Sequence, residues 1–213
     1  MLKRLAILLT LIPALALGGE VKLKITGKGG VSGTGNLINK VLEGGDKYVQ
    51  LNFSLEVAGG GKVTVEQESL YDKFGRPKRK LQTVTNPDGS FQSMVATFDS
   101  EGVDVRIRAD GNSGSGRVEA PKGHVINAKP EFWFIRDKVA PGGKSTYHRF
   151  DLATQKWVKT TAKYEGKRTI KVGGTVVSTH LVIYDQVKAY VDDKGDPFKI
   201  EMLDSGLTLE RVD

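Results

Sequence analysis

The chain has 213 residues, 38% of them hydrophobic and 27% charged, with a net charge of +7 and no cysteine. The missing cysteines exclude disulfides, thiolate catalysis and iron–sulfur clusters, so an exported domain of this composition must hold itself together by its core. The charge surplus falls to +5 once Lys3 and Arg4 are set aside, too small and too dispersed to imply nucleic acid.

Residues 1–18, MLKRLAILLTLIPALALG, place Lys3 and Arg4 before an apolar run and close on small residues, Ala16 and Gly18 among them. That order is the order of a secretory signal peptide. The run of about fourteen residues falls short of the roughly 20 that span a bilayer. The expectation is a signal peptide over 1–18, a single β-rich domain over 19–213, a secreted or periplasmic location, and no transmembrane segment in the mature chain.

VKLKITGKG, from Val21, alternates apolar and basic residues as a half-buried strand does. GKGGVSGTGN, residues 27–36, is glycine-rich but lacks the lysine followed by Ser or Thr that a phosphate loop needs, and reads as a turn or a glycine-tolerant strand edge. Leu37, Ile38, Val41 and Leu42 lie at helical spacing before Gly44 and Gly45, which predicts a short helix over 37–43 or a pair of short strands. From Tyr48 the period is two. Val49, Leu51, Phe53, Leu55 and Val57 share one face, and the glycines at 59–61 turn the chain into KVTVEQESLYD. NPDG, residues 86–89, predicts another hairpin, and Val103, Val105, Ile107 and Ala109 point to one face of VDVRIRAD. GNSGSG turns the chain again, and further short strands fill the rest, EFWFI among them. KVAPGGK, residues 138–144, is the interior loop expected at the midpoint of the sheet.

Twelve to fifteen strands with turn signals every eight to twelve residues predict an all-β fold: a single antiparallel, strongly curved sheet or incomplete barrel, with at most one short helix. The pattern D-x-x-G-x-P occurs twice, as Asp72, Gly75, Pro77 and as Asp192, Gly195, Pro197. Aspartate bonding to its own backbone, glycine at positive φ and proline outside the ladder are all accounted for by hairpin geometry.

THLVIYDQVKAYVDDKGDPFKIEM resembles the closing strands of the periplasmic lipoprotein-carrier and outer-membrane-lipoprotein-sorting families, at Val187, Tyr190, Asp192, Gly195, Pro197 and Lys199. The resemblance covers about the last 60 residues. It implies a half-open barrel with a helix or loop lid over an apolar concavity, for which residues 37–43 are the lid material on offer.

Candidate chemistry is sparse. His124, His148 and His180 are 24 and 32 residues apart and make no helix-borne metal motif, so no metal and no cofactor is expected; His180 stands out in an apolar strand. GNSGS, residues 111–115, misses the final glycine of a nucleophile elbow. Glu66 and Glu68 share a strand face about 6 to 7 Å apart, a separation that also describes a solvated sheet face. The aromatics Phe132, Trp133 and Phe134, with Tyr147, Trp157 and Tyr164, form the expected lining of an apolar groove. Arg76, Lys78, Arg79 and Lys80, with Arg106 and Arg108, form the expected basic rim, a source of peripheral contact with an anionic membrane. The functional expectation is an exported, non-enzymatic binding protein for an apolar or amphipathic ligand, related to lipid or lipoprotein. The alternative is a structural or adhesive envelope module that binds a protein or an anionic polymer.

Overall fold

A computed structural model describes residues 19–57, 60–122 and 133–212. The leader and the predictions on Phe132 and His124 lie outside the described residues. Fourteen strands follow in chain order: β1 (Gly19–Thr26), β2 (Ser32–Val41), β3 (Lys47–Val57), β4 (Gly61–Tyr71), β5 (Pro77–Thr85), β6 (Phe91–Phe98), β7 (Gly102–Ala109), β8 (Asn112–Glu119), β9 (Lys144–Asp151), β10 (Lys156–Val172), β11 (Thr175–Tyr184), β12 (Val187–Val191), β13 (Pro197–Met202) and β14 (Leu207–Val212). A single helical turn, α1 (Trp133–Arg136), precedes β9. All strands join one antiparallel sheet in the order β8 to β1, then β14 back to β9, so β1 pairs with β14 in the middle and β8 and β9 are the two edges.

Residues directly opposite each other in an antiparallel pair share a face, and this traces one concave surface across the sheet. From Leu51 it runs through Gln67, Gln82 and Met94 to Ile107, and through Leu37 to Val21. On the other side it runs from Ile25 through Leu209, Ile200, Ala189 and Val182 to Tyr164. The opposed pair Phe150 and Trp157 belongs to the other, convex face of the last hairpin. Yet both pack with Met94, Ala96, Val103 and Val105 from the concave face of β6 and β7. The sheet therefore rolls over itself like a scroll, with the β9–β10 end tucked beneath the β6–β8 end.

A triangle of edge-on aromatics closes this seam. Ring centroids lie 6.1 Å apart for Phe98–Phe150, 6.4 Å for Phe98–Trp157 and 5.5 Å for Phe150–Trp157. Such pairs contribute about 0.5–1.5 kcal/mol each beyond the area they bury.

Four of the turns share one backbone plan. In Leu42–Asp46, Asp72–Arg76, Asn86–Ser90 and Asp192–Asp196 the first N–H donates to the fifth carbonyl, and the glycine in fourth place donates to the first carbonyl. That is the three-residue hairpin loop in which a type I turn is followed by a left-handed residue. The D-x-x-G-x-P pattern is two of these four.

Several local expectations are corrected. Residues 37–41 are strand, all paired with β3 and the first three also with β1; the tertiary ladder outweighs the helical spacing, and no lid forms there. For the same reason the glycine-rich run enters an interior strand and not an edge. EFWFI is not a strand over its described part: Trp133 and Phe134 are both buried in α1, which Asp137 N–H closes onto the Trp133 carbonyl at 2.9 Å. A strand would have sent these neighbours to opposite faces, whereas a helical turn lets both enter one core. Of GNSGSG, residues 111–116, only Gly111 lies in the turn, which it shares with the preceding Asp110, and the rest belong to β8. The loop near residue 140 leads into the sheet's edge strand and not its midpoint.

Candidate functional site

Alternate turns of an antiparallel meander lie at the same end of the sheet. The β2–β3, β4–β5, β10–β11 and β12–β13 turns thus share one end, called the lower end, where α1 and the loop into β9 also lie. The interior at this end has two unlike walls.

The first wall is polar. Asn39, Ser69 and Lys80 form one concave layer with Val49, and Gln67 and Gln82 stand in the next layer with Leu37 and Leu51. Asn39, Gln67, Ser69 and Gln82 are all buried. Among the described residues, neither amide atom of Asn39 nor the carbonyl oxygen of Gln67 has a hydrogen-bond partner. Each such group costs about 1–3 kcal/mol when it is shut away from water unpaired. Leucine at these positions would extend the apolar face without that cost, so the amides are not core filler.

The second wall is aromatic. Trp133, Phe134 and Tyr164 are buried in the main hydrophobic cluster together with Val49, Leu51 and Phe53, and Tyr147 packs against it. Phe134 stacks on Tyr164 with ring centroids 4.4 Å apart and planes 13° apart. A chain of polar contacts runs outward from this stack. Tyr164 Oη lies 2.8 Å from His180 Nδ1, and His180 Nε2 lies 2.7 Å from Asp193 Oδ1. With a carboxylate as acceptor, Nε2–H donates to Asp193, and in the neutral ring Nδ1 accepts from the Tyr164 hydroxyl. Lys167 Nζ stands 3.7 Å from the same carboxylate oxygen.

Tyr164 pairs with Val182, which puts His180, two residues back along β11, on its diagonal, just before the ladder shifts register between Tyr164 and Gly166. Asp193 is the second residue of the β12–β13 turn. Its carboxyl is held below the usual range, first by the His180 hydrogen bond and then by Lys167. The Tyr164 phenol is pushed above its ordinary value, first by burial and then by the Asp193 charge. A phenol driven away from ionisation suits a hydrogen-bond donor and not an activated nucleophile.

Of the residues expected to line a groove, Trp133, Phe134, Tyr147 and Tyr164 come together in the main cluster, whereas Trp157 belongs to the scroll's seam. The basic residues are dispersed. Arg76 pairs with Asp72, Lys78 with Asp46 at 2.8 Å, Lys80 faces the concave side, and Arg79, Arg106 and Arg108 are exposed on the convex side. Glu66 and Glu68 are also convex, opposite Asn52 and Gln50. A separate open depression of about 430 Å³, lined mainly by convex residues such as Lys22, Asn36, Asn52 and Ser54, is not part of the interior.

Asn39, Gln67 and Gln82 escape a sequence reading because polar residues on alternating strands normally mark the wet face. Their one signal is position: each falls on the apolar beat of its strand, two residues from Leu37, Val65 and Val84 respectively. Among the described residues no group of three or more His, Asp and Glu is placed to hold a metal ion, and no helix is long and apolar enough to cross a membrane.

No family model matches the chain, and no curated protein matches it. Among solved structures it is similar to the beta-barrel-like protein of domain of unknown function DUF1849 from Brucella abortus, with a TM-score of 0.64 and 11% identity over 94% of this chain and 98% of that one. A DUF1089 family protein from Pseudomonas aeruginosa aligns at a TM-score of 0.40 and 13% identity over 91% and 94% of the two chains. The first likeness shows a shared barrel-like fold, and none of these findings shows a lipoprotein-carrier family.

Proposed function

We propose that the scroll is an exported, non-enzymatic binding protein for an amphipathic ligand held in the lower half of its concave face. The aromatic wall of Trp133, Phe134, Tyr147 and Tyr164 takes the apolar part, at roughly 25 cal/mol per Å² of area removed from water, less the cost of ordering. The belt of Asn39, Gln67, Ser69 and Gln82 meets the polar head with donors and acceptors together, and α1 is the lid. The single observation that supports this reading is the belt: among the described residues the buried Asn39 amide and the Gln67 carbonyl oxygen lack partners on the concave face whose main cluster holds the aromatics. Export rests on the leader.

The test is purification from the exported fraction, solvent extraction and mass spectrometry, with uptake of a fluorescent fatty acid as the second arm. A co-purified amphiphile, and uptake that falls about tenfold or more in Asn39→Leu/Gln67→Leu while the fold becomes no less stable, is the expected result. No extracted amphiphile together with no uptake removes the proposal. It would leave the adhesive module in front, which the exposed β8 edge of serines and glycines favours as a site for adding a partner strand.

A further inference from the structure

The β2–β3 and β4–β5 turns form an apolar tip in a basic collar. Phe74 is 58% exposed, Val41 51% and Leu42 42%. The two turns are neighbours: a Cβ placed on Gly45 would meet Lys73 Cβ at 3.3 Å, and Lys78 reaches across to Asp46. Lys73 Nζ and Arg76 Cζ stand 5.1 and 5.2 Å from the centroid of the Phe74 ring. Both lie within the roughly 6 Å over which a cation is held at an aromatic face. The tip and its collar carry six cations (Lys40, Lys47, Lys73, Arg76, Lys78, Arg79) against three carboxylates (Glu43, Asp46, Asp72), a surplus of three.

An exposed phenylalanine costs nothing to replace with a polar residue in a turn whose backbone needs only its aspartate and glycine. Large apolar side chains at the apex of two adjacent turns, ringed by long basic side chains, match the chemistry of a bilayer interface. Apolar prongs enter the boundary between headgroups and acyl chains, while lysine and arginine extend their charged ends to anionic headgroups. A protein partner would equally bury apolar area, but the surplus of positive charge around the prongs is complementary to an anionic lipid surface.

We infer that this tip docks the protein on anionic membranes, with Phe74, Leu42 and Val41 inserted and Lys73, Arg79, Lys40 and Lys47 at the headgroups. Docked this way, the scroll presents its lower end, where α1 and the polar belt lie, to the lipid. The inference stands apart from the interior reading, since vesicle binding at the surface is read with or without a ligand inside.

All fourteen strands lie within Gly19–Val212, so the test uses the chain from Gly19, without the apolar leader that would itself partition into lipid. Co-sedimentation is measured with vesicles of phosphatidylcholine alone and with about a third phosphatidylglycerol. The expected result is binding to the anionic vesicles, weakened as salt is raised to about 0.5 M, and lowered about tenfold or more in Phe74→Ser/Leu42→Ser. Phe91→Ser, at the exposed Phe91 of the opposite end, leaves binding unchanged. Phe74→Trp reports insertion directly, by a blue-shifted emission quenched by brominated lipid. No binding to anionic vesicles, unchanged binding in the double serine variant, or binding of the Phe74→Trp variant without an emission shift would each overturn the inference.

Discussion

The turns Asp72–Arg76 and Asp192–Asp196 have the same frame and opposite outlooks. In each, the aspartate Oδ1 accepts from the third and fifth backbone N–H groups: Phe74 and Arg76 at 2.9 Å, Lys194 at 2.8 Å and Asp196 at 2.9 Å. The glycine in fourth place sits at φ 87° in one and 92° in the other, and in both the ladder skips the residue that follows the proline, Lys78 and Phe198. The residues the frame leaves free are the ones that differ. Lys73 and Phe74 point to solvent, while Asp193 reaches His180 and, through it, the Tyr164–Phe134 stack inside the scroll. A repeated pattern in a sequence thus reports what the backbone needs, and any specialisation sits in the positions between.

The sharpest way to break the comparison is to remove the phenylalanine that belongs to each outlook. Phe134→Ala takes a buried ring from the stack and is expected to cost about 3–5 kcal/mol. Phe74→Ala removes an exposed ring and should stay within about 0.5 kcal/mol. Urea unfolding curves followed by tryptophan emission measure both. Comparable losses would mean that the first turn is packed against something and is no free tip.

The shared frame predicts equality where the outlooks do not matter. Valine at Gly75 and valine at Gly195 each force a branched residue into the left-handed region, and each should cost about 1–2 kcal/mol. The same unfolding curves should place the two variants together. A gap between them larger than their common loss would mean that the second turn is fixed by its neighbours more than by its own backbone.

The frame was legible in the sequence because its signals are local. Period-two runs such as Val49 to Val57, and turns such as NPDG, are written within ten residues, and they led to a single curved antiparallel sheet. The overlap of the scroll was not legible. It depends on Trp157 and Phe150 meeting Met94 and Val105, which are more than forty residues away, and nothing near Trp157 separates a seam residue from a groove residue. The same limit hid the polar part of the candidate site. Trp133, Phe134, Tyr147 and Tyr164 stood out by aromatic character, but Asn39 and Gln67 become unusual only once their strands are known to be covered. His180 was conspicuous as a lone imidazole in an apolar strand. Its partner Asp193 stands next to Asp192 in the sequence, where the two read as a pair of neighbouring carboxylates with nothing to link either to an imidazole thirteen residues away.

The finest distinction between the turns lies in their second residues, and pH separates them. Asp193 has a folded-state pKa held below 3.8 by His180 and Lys167. A group with a depressed folded pKa adds stability that is fully present above its unfolded value, about 3.9, and is lost as pH falls through the folded value. Asp193→Asn should therefore lower Tm slightly at pH 7, and the difference from wild type should close as pH falls below 3.8. Because the carboxylate is exposed, added salt should shrink the deficit too. Lys73→Asn, at the matching position of the first turn, should show no such closure, since that lysine supports a surface and not a fold. Thermal melts of the three proteins between neutral and strongly acid pH make the comparison. A deficit in Asp193→Asn that persists unchanged in acid would detach the second turn from the His180 chain and reduce it to the same plain hairpin as the first.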